Sequence, residues 1–354
     1  MKLPSLFSVF SAPFLLTFTL AAALPQPQSN PPSSQWTTLA PIPLFPRQEH
    51  STVFLPPSSF AILGGVIPIA NSTGVNTTSL VQLYDIPSNT WKSLAPLPTP
   101  LNHANAASVD GKLYVLGGLE VASDGAWRGT SKSWVYDPIS DIWTEIEGIP
   151  EGDGRGSAAV GVHDGVVFLA GGMSVLHAVQ GGQQETVAAV SAFDTVAGKW
   201  LSLPEKARQL PGGRDHAGAA VVDGKLFVIG GRDHGQANVK GTVYVLDLED
   251  LSAGWTTKNG VMPTPRGGVA AAAVGGKVYT FGGEGNPAEG SKGVFNQTEV
   301  YDTVRDEWKV LTPMKVPRHG TYAVAVDGRI YIPGGGISIG AGPVDVLDVF
   351  VPRK

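Results

Sequence analysis

Beyond residue 35 the apolar positions come in runs of about five residues bounded by turn residues, the pattern of short β-strands rather than of helices. The stretch from Ala217 shows the arrangement. Ala217 to Val222 is small and apolar, as a strand covered on both faces requires. Asp223-Gly224 predicts a two-residue hairpin turn, because both positions tolerate positive φ. Lys225 to Ile229 reads as a second strand running into Gly230-Gly231. Thr242 to Asp247 reads as a third, and Trp255 opens a fourth.

The unit recurs. Diglycines fall at Gly64-Gly65, Gly117-Gly118, Gly171-Gly172, Gly230-Gly231, Gly282-Gly283 and Gly334-Gly335, spaced by 53, 54, 59, 52 and 52 residues. Trp36, Trp91, Trp143, Trp200, Trp255 and Trp308 keep the same beat, so six of the eight tryptophans hold one repeat position. The hairpin turn returns at Asp110-Gly111, Asp164-Gly165 and Asp327-Gly328, with Gly275-Gly276 in the fifth unit. The first unit has Pro56-Pro57-Ser58-Ser59 there, which predicts a looser inner hairpin.

An aromatic-Asp pair follows four of the diglycines, and a Trp follows about six residues later: Tyr84-Asp85 with Trp91, Tyr136-Asp137 with Trp143, Phe193-Asp194 with Trp200, and Tyr301-Asp302 with Trp308. The fourth unit weakens this to Leu246-Asp247 with Trp255. This pattern, in six copies from Trp36 to the end, resembles the kelch repeat of the galactose oxidase and kelch-like superfamily. The resemblance implies an all-β, six-bladed β-propeller over residues 36–354, with one four-stranded sheet per repeat. Trp36 to Leu39 looks like a fourth strand without its first three, and Val344 to Val351 like a third without its fourth. The strand around Trp36 is therefore expected to pair into the last blade and remove two sheet edges.

The amino-terminal segment alters the picture of location. Met1-Lys2, an apolar run from Leu6 to Leu20 and Ala21-Ala22-Ala23 read as a signal peptide over 1–23. A Pro-rich leader follows over 24–35. The expected destination is extracellular, with no membrane association after cleavage. Asn71, Asn76 and Asn296 lie in sequons and are candidate glycosylation sites. The chain has no Cys, so stability must come from a large core. A net charge of −5 argues against a nucleic-acid partner. No assembly motif is present, and a monomer is expected.

Antiparallel alternation places the start of each first strand and the end of each second on one face, which also carries the long connections between second and third strands. His50, His103, His177, His216, His234 and His319 map to this loop face, and His163 to the opposite one. Arg47, Arg155, Arg214, Arg266 and Arg318 precede first strands there, with Asn102 expected in that place in the second unit. In kelch repeats such residues also hold blades together. The fourth unit is the most heavily charged. Ideal register across Asp223-Gly224 sets Asp215 opposite Arg232 and Arg214 opposite Asp233, predicting two reciprocal ion pairs. His216 and His234 stand beside these carboxylates as candidates for proton transfer, with Asp215 and Asp233 as their partners.

The ligand-binding candidates are thus Arg47, His50, His103, Arg155, Arg214, Arg232, Arg266, Glu284, Arg318 and His319. Arginines at a channel mouth suit a small polar or acidic ligand, including a carbohydrate. No cofactor and no metal are expected, since a trio such as His50, His103 and His319 occupies positions where kelch repeats often carry His. Neither a phosphate-binding loop nor a GxSxG elbow is present. The residues leave catalysis open. A non-catalytic binder, a secreted epimerase, isomerase or lyase acting on a small polar substrate, and a protein-interaction scaffold all fit them.

Overall fold

In the computed structural model, which describes residues 35–177 and 182–353, the repeats fold as six antiparallel blades of four strands. The expected signal peptide (1–23) and nearly all of the leader (24–35) lie outside the described residues. Blade 1 comprises Ser51–Leu55, Ser59–Leu63, Val81–Asp85 and Thr90–Leu94; blade 4 comprises Gly218–Val222, Lys225–Ile229, Val243–Asp247 and Trp255–Thr257. First strands of neighbouring blades touch all the way round, blade 6 against blade 1 included, so the ring is closed. Among the described residues, no helix is long and apolar enough to cross a membrane.

The core is divided among the blade junctions. One cluster packs Phe168, Leu203 and Leu210 of blade 3 against Leu226, Val228 and Leu246 of blade 4, and every other junction has its counterpart. The repeated Trp belongs to these seams. Each indole Nε1–H donates to a carbonyl of the blade before it: Trp91 to Ala40, Trp143 to Ala95, Trp200 to Glu147, Trp255 to Ala207, Trp308 to Gly260 and Trp36 to Thr312. The aromatic of the aromatic-Asp pair stacks on it, with Tyr84 5.0 Å from Trp91.

The diglycines are required by close approach. A Cβ on Gly64 would lie 2.3 Å from the Leu101 carbonyl oxygen, where the connection into blade 2 passes over the sheet. Asp223 and Gly224 both have positive φ (47° and 68°), as the two-residue turn demands. The first hairpin departs from expectation. It is not loose: Ser51 to Leu55 pairs in register with Leu63 to Ser59 around a short Pro56-Pro57-Ser58 loop.

The ring is closed by Trp36–Thr38, which pairs with Leu347–Phe350 in the register Trp36↔Phe350. Trp36 is buried, and its ring meets Phe350 at 4.9 Å and Phe281 at 5.6 Å.

Blade 2 is taller than the others. Its second and third strands, Lys112–Val121 and Trp127–Asp137, continue past the blade and rise over the loop face. There Trp127 pairs with Leu176 of a hairpin formed by Met173–Leu176 and Gln184–Thr186. The two hairpins make a wall on one side of the channel mouth.

Candidate functional site

Three consecutive residues lead into each first strand, and they have three different destinations. The first is Arg47, Leu101, Arg155, Arg214, Arg266 or Arg318. Its carbonyl accepts the second glycine N–H of the preceding blade, as in Gly65 to Leu101 and Gly118 to Arg155. This register makes Leu101, not Asn102, the blade 2 counterpart of the arginines. All five guanidiniums turn back into their own blades. Arg155 donates to the carbonyls of Gly171 (2.8 Å) and Leu169 (3.1 Å), and Arg266 to Gly282 O and the Glu299 carboxylate. Arg318 meets Asp348 at 2.9 Å, and Arg47 meets Gln82 at 2.6 Å. Burial lowers Arg47 and Arg155 to about 10. The expectation that these five arginines line the channel mouth is corrected: they are strand-to-strand braces with no face on the cavity.

The second residue is Gln48, Asn102, Gly156, Asp215, Gly267 or His319. It bridges to the residue that follows its blade's own diglycine: Asp215 to Arg232, Gly267 to Glu284, His319 to Gly336. The third is Glu49, His103, Ser157, His216, Gly268 or Gly320, and all six have left-handed backbones. Their amides link blade to blade around the axis: Glu49 N–H to Gly320 O (2.7 Å), His103 to Glu49 O (2.9 Å), Ser157 to His103 O (2.8 Å) and Gly268 to His216 O (2.9 Å). Gly320 leaves the axial space open, since a Cβ there would lie 2.3 Å from Glu49 Oε1.

These positions form the floor of a cavity of about 470 Å³ at the channel mouth: Glu49, His103, His216, Arg232, Glu284 and His319. Trp127, His177, Gln184 and Gln236 stand above it, with Trp127 5.5 Å from the His103 ring. Every floor residue is buried. The floor is a continuous polar network. Asn102 Nδ2 donates to Thr77 (2.8 Å), so its Oδ1 faces His103 Nδ1 at 2.6 Å. His103 Nε2 meets His216 Nε2 and Glu49 Oε2, both at 3.0 Å. His216 Nδ1 donates to Asp215 Oδ1 (2.7 Å), which also accepts from Arg232 Nε (2.8 Å). Arg232 goes on to Glu284, and His319 Nδ1 lies 3.4 Å from the Glu284 carboxylate.

Burial would raise Glu49, Asp215 and Glu284, but their partners outweigh it. Its contacts with His103, His216 and His319 hold Glu49 well below the usual carboxylate range. His216 and Arg232 lower Asp215, and Arg232 lowers Glu284. Burial, only partly offset by Glu49, lowers His103. Arg232 is raised, because Glu284 and Asp215 overcome the effect of its burial.

The candidates thus separate. His103, His216, Arg232, Glu284 and His319 come together, with Asp215 behind His216. His50 does not join them; it is buried at the seam with blade 6, against Gly334, and burial together with Arg47 pushes it down to about 3. A trio of His50, His103 and His319 is therefore not assembled. His234 is 54 % exposed and pairs with Asp233 at 2.5 Å outside the floor. Of the two ion pairs expected in blade 4, Asp215–Arg232 forms. Arg214 instead donates to Thr242 Oγ1 (2.6 Å) and the Tyr244 hydroxyl (2.8 Å).

Three site residues escaped the sequence reading. Glu49 holds the repeat position of His103 and His216, a signal visible once Arg47-Gln48-Glu49 is aligned with Arg214-Asp215-His216. Trp127 is one of two tryptophans off the repeat beat. Tyr322 carried no signal. It reaches across the axis from blade 6 to the Ser157 side chain of blade 3, and borders a second, narrower cavity of about 160 Å³ within the channel.

Residues 177–336 match the family model described as the KLHDC2/KLHL20/DRC7 Kelch-repeats domain, and residues 100–148 match the Kelch motif. The chain is 40 % identical over 342 residues to Kelch-like protein terF of Aspergillus terreus, covering 96 % of this chain and 72 % of that protein. It is 29 % identical over 259 residues to human Kelch-like protein 34, covering 70 % of this chain and 37 % of that one. A shorter similarity, 35 % over 121 residues, covers 34 % of this chain and 33 % of the N-(sulfonatooxy)prop-2-enimidothioate sulfolyase of Thlaspi arvense.

Proposed function

The chain belongs to the kelch-repeat family, and from that premise we propose that its axial cavity binds a small polar ligand rich in hydrogen-bond donors, such as a neutral or amino sugar. One observation carries this reading. The cavity floor offers two carboxylates and three imidazoles against a single guanidinium, and that guanidinium is already held by Asp215 and Glu284. With the five brace arginines turned away, a carboxylate-bearing ligand meets no unpaired guanidinium among the described cavity residues. A hydroxylated or aminated one has acceptors, and the Trp127 ring offers an apolar face beside them.

Calorimetric titration of the full-length protein with neutral, amino and acidic sugars tests this. The expected result is binding of neutral or amino sugars, lost in Trp127→Ala and kept in His163→Ala. Binding confined to acidic sugars overturns it.

A second reading rests on Asp215 and His216. A carboxylate fixing the Nδ1–H of an imidazole whose Nε2 faces a cavity is the arrangement of a general base, which fits an epimerase, isomerase or lyase. Export and glycosylation complete the proposal. Asn71 and Asn76 are exposed in the second-to-third-strand connection of blade 1, and Asn296 is partly exposed in that of blade 5. Glycan occupancy by mass spectrometry of exported protein checks this, and three unmodified asparagines would remove its support.

A further inference from the structure

Glu49 Oε2, His103 Nε2 and His216 Nε2 converge from blades 1, 2 and 4, and all three side chains are buried. The outward partners of both rings decide what faces inward. Asp215 Oδ1 takes the Nδ1–H of His216, and Asn102 Oδ1 takes that of His103. In the neutral rings both Nε2 atoms are then lone pairs, 3.0 Å apart. The Glu49 oxygen brings a third lone pair, 3.0 Å from one ring and 3.9 Å from the other. Three acceptors turned on one another need something positive between them.

We propose that Glu49, His103 and His216 bind one divalent first-row transition-metal ion at the base of the axial cavity. The geometry fits that ion. The point equidistant from the three ligand atoms lies about 2.0 Å from each, the bond length of imidazole and carboxylate to such a metal. The outward hydrogen bonds of both rings are the second-shell contacts that orient metal-binding histidines. Two imidazoles and a carboxylate, in a chain without Cys, select zinc, ferrous iron, cobalt or manganese over softer ions. The floor is anionic beyond these ligands. His319 Nε2 donates to the Ser338 carbonyl (2.9 Å), so its buried Nδ1, without a hydrogen-bond partner among the described residues, lies 3.4 Å from Glu284 and 3.8 Å from Glu49. Arg232, 3.3 Å from His216 Nε2, is matched by Asp215 and Glu284. Remaining coordination positions open to the cavity, where a hydroxyl or amine of a ligand would complete them. The inference deepens the cavity reading and shares its location.

The test uses the metals alone. Full-length protein stripped with a chelator is loaded with Zn²⁺, Co²⁺, Fe²⁺ or Mn²⁺, desalted and analysed for metal content. The expected result is about one equivalent per chain for at least one ion, with a visible absorption band for Co²⁺. His216→Gln weakens retention at least about tenfold, while His50→Val and His163→Ala keep it. Metal raises the melting temperature of the wild type and not of His103→Gln/His216→Gln, which separates lost binding from lost folding. Wild-type protein that retains none of the four ions holds a proton in this place and overturns the inference, as does full retention by the double variant. Sugar binding without metal retention sinks this inference and leaves the cavity reading; metal retention without sugar binding does the reverse.

Discussion

The Nε2 atoms of His103 and His216 stand 3.0 Å apart although 113 residues separate them in the chain. They meet because both occupy one repeat position, two blades apart, and the blade between contributes only Ser157. A larger side chain at Ser157 would separate them. The cluster therefore depends as much on the small residues of the ring, Ser157, Gly268 and Gly320, as on its ionisable ones.

Asp215 holds this arrangement from behind. It orients His216, pairs with Arg232 and accepts from Gln184 and Thr186, all at a fully buried position. Asp215→Asn removes the charge while nearly preserving shape, leaving Arg232 with Glu284 alone. The expected cost is about 3–5 kcal/mol in chemical denaturation. A loss under about 1 kcal/mol would mean that Arg232 is not buried against this carboxylate.

The brace arginines make the opposite prediction about function. Arg155 donates to Gly171 O, Leu169 O, Asp153 O and Ser191 Oγ inside blade 3. Arg155→Leu copies the residue that blade 2 carries at this position, Leu101. Carbonyls left without donors should cost about 3 kcal/mol, with no change in affinity for any cavity ligand. Weakened ligand affinity at unchanged stability would return Arg155 to the binding site.

These arginines also mark where sequence reasoning stopped. The six-fold beat of diglycine, aromatic-Asp and Trp was legible because each blade meets the same steric demands: Gly64 under Leu101, Trp91 at the seam to Ala40. Closure by Trp36 was legible because an unpaired fourth strand and an unpaired third strand need each other. Side-chain direction was not. Strand register places Arg155 and His103 on the same face, yet the long guanidinium reaches back to its own blade's carbonyls while the imidazole turns to the axis. A one-residue offset, Leu101 for Asn102, was likewise invisible until the carbonyl that caps each diglycine could be followed.

His50 should leave a signature in the pH dependence of stability. Folded, burial and Arg47 push it down to about 3. Unfolded, it titrates near 6.5. The unfolded chain therefore gains a proton that the folded chain refuses, and stability is lost as pH falls through this window. The difference is about 2 kcal/mol at pH 5. Asp215 and Glu284, depressed by their cationic partners, add a further loss below about pH 4. Urea denaturation at pH 7 and pH 5 should show the first loss in the wild type and a smaller one in His50→Val, whose residue matches Val269 of blade 5. Equal losses in both proteins would assign the effect elsewhere.

The closure of the ring can be tested by truncation. Trp36–Thr38 supplies the outer strand of blade 6, and Trp36 lies over Phe350 and Phe281 with its indole N–H on Thr312 O. Leu39 and Ile42 extend the attachment through their amides to Leu347 and Asp345. Deleting residues 24–33 leaves all of these in place, and the melting temperature should not change. Deleting residues 24–40 removes the strand, exposes the Phe350 edge and leaves the seam between blades 5 and 6 open. That protein should melt well below the wild type and unfold from blade 6. Trp36→Ala alone should cost about 3–5 kcal/mol, the range for emptying a buried aromatic site. Equal melting temperatures for the two truncations would show that the ring closes without its amino-terminal strand.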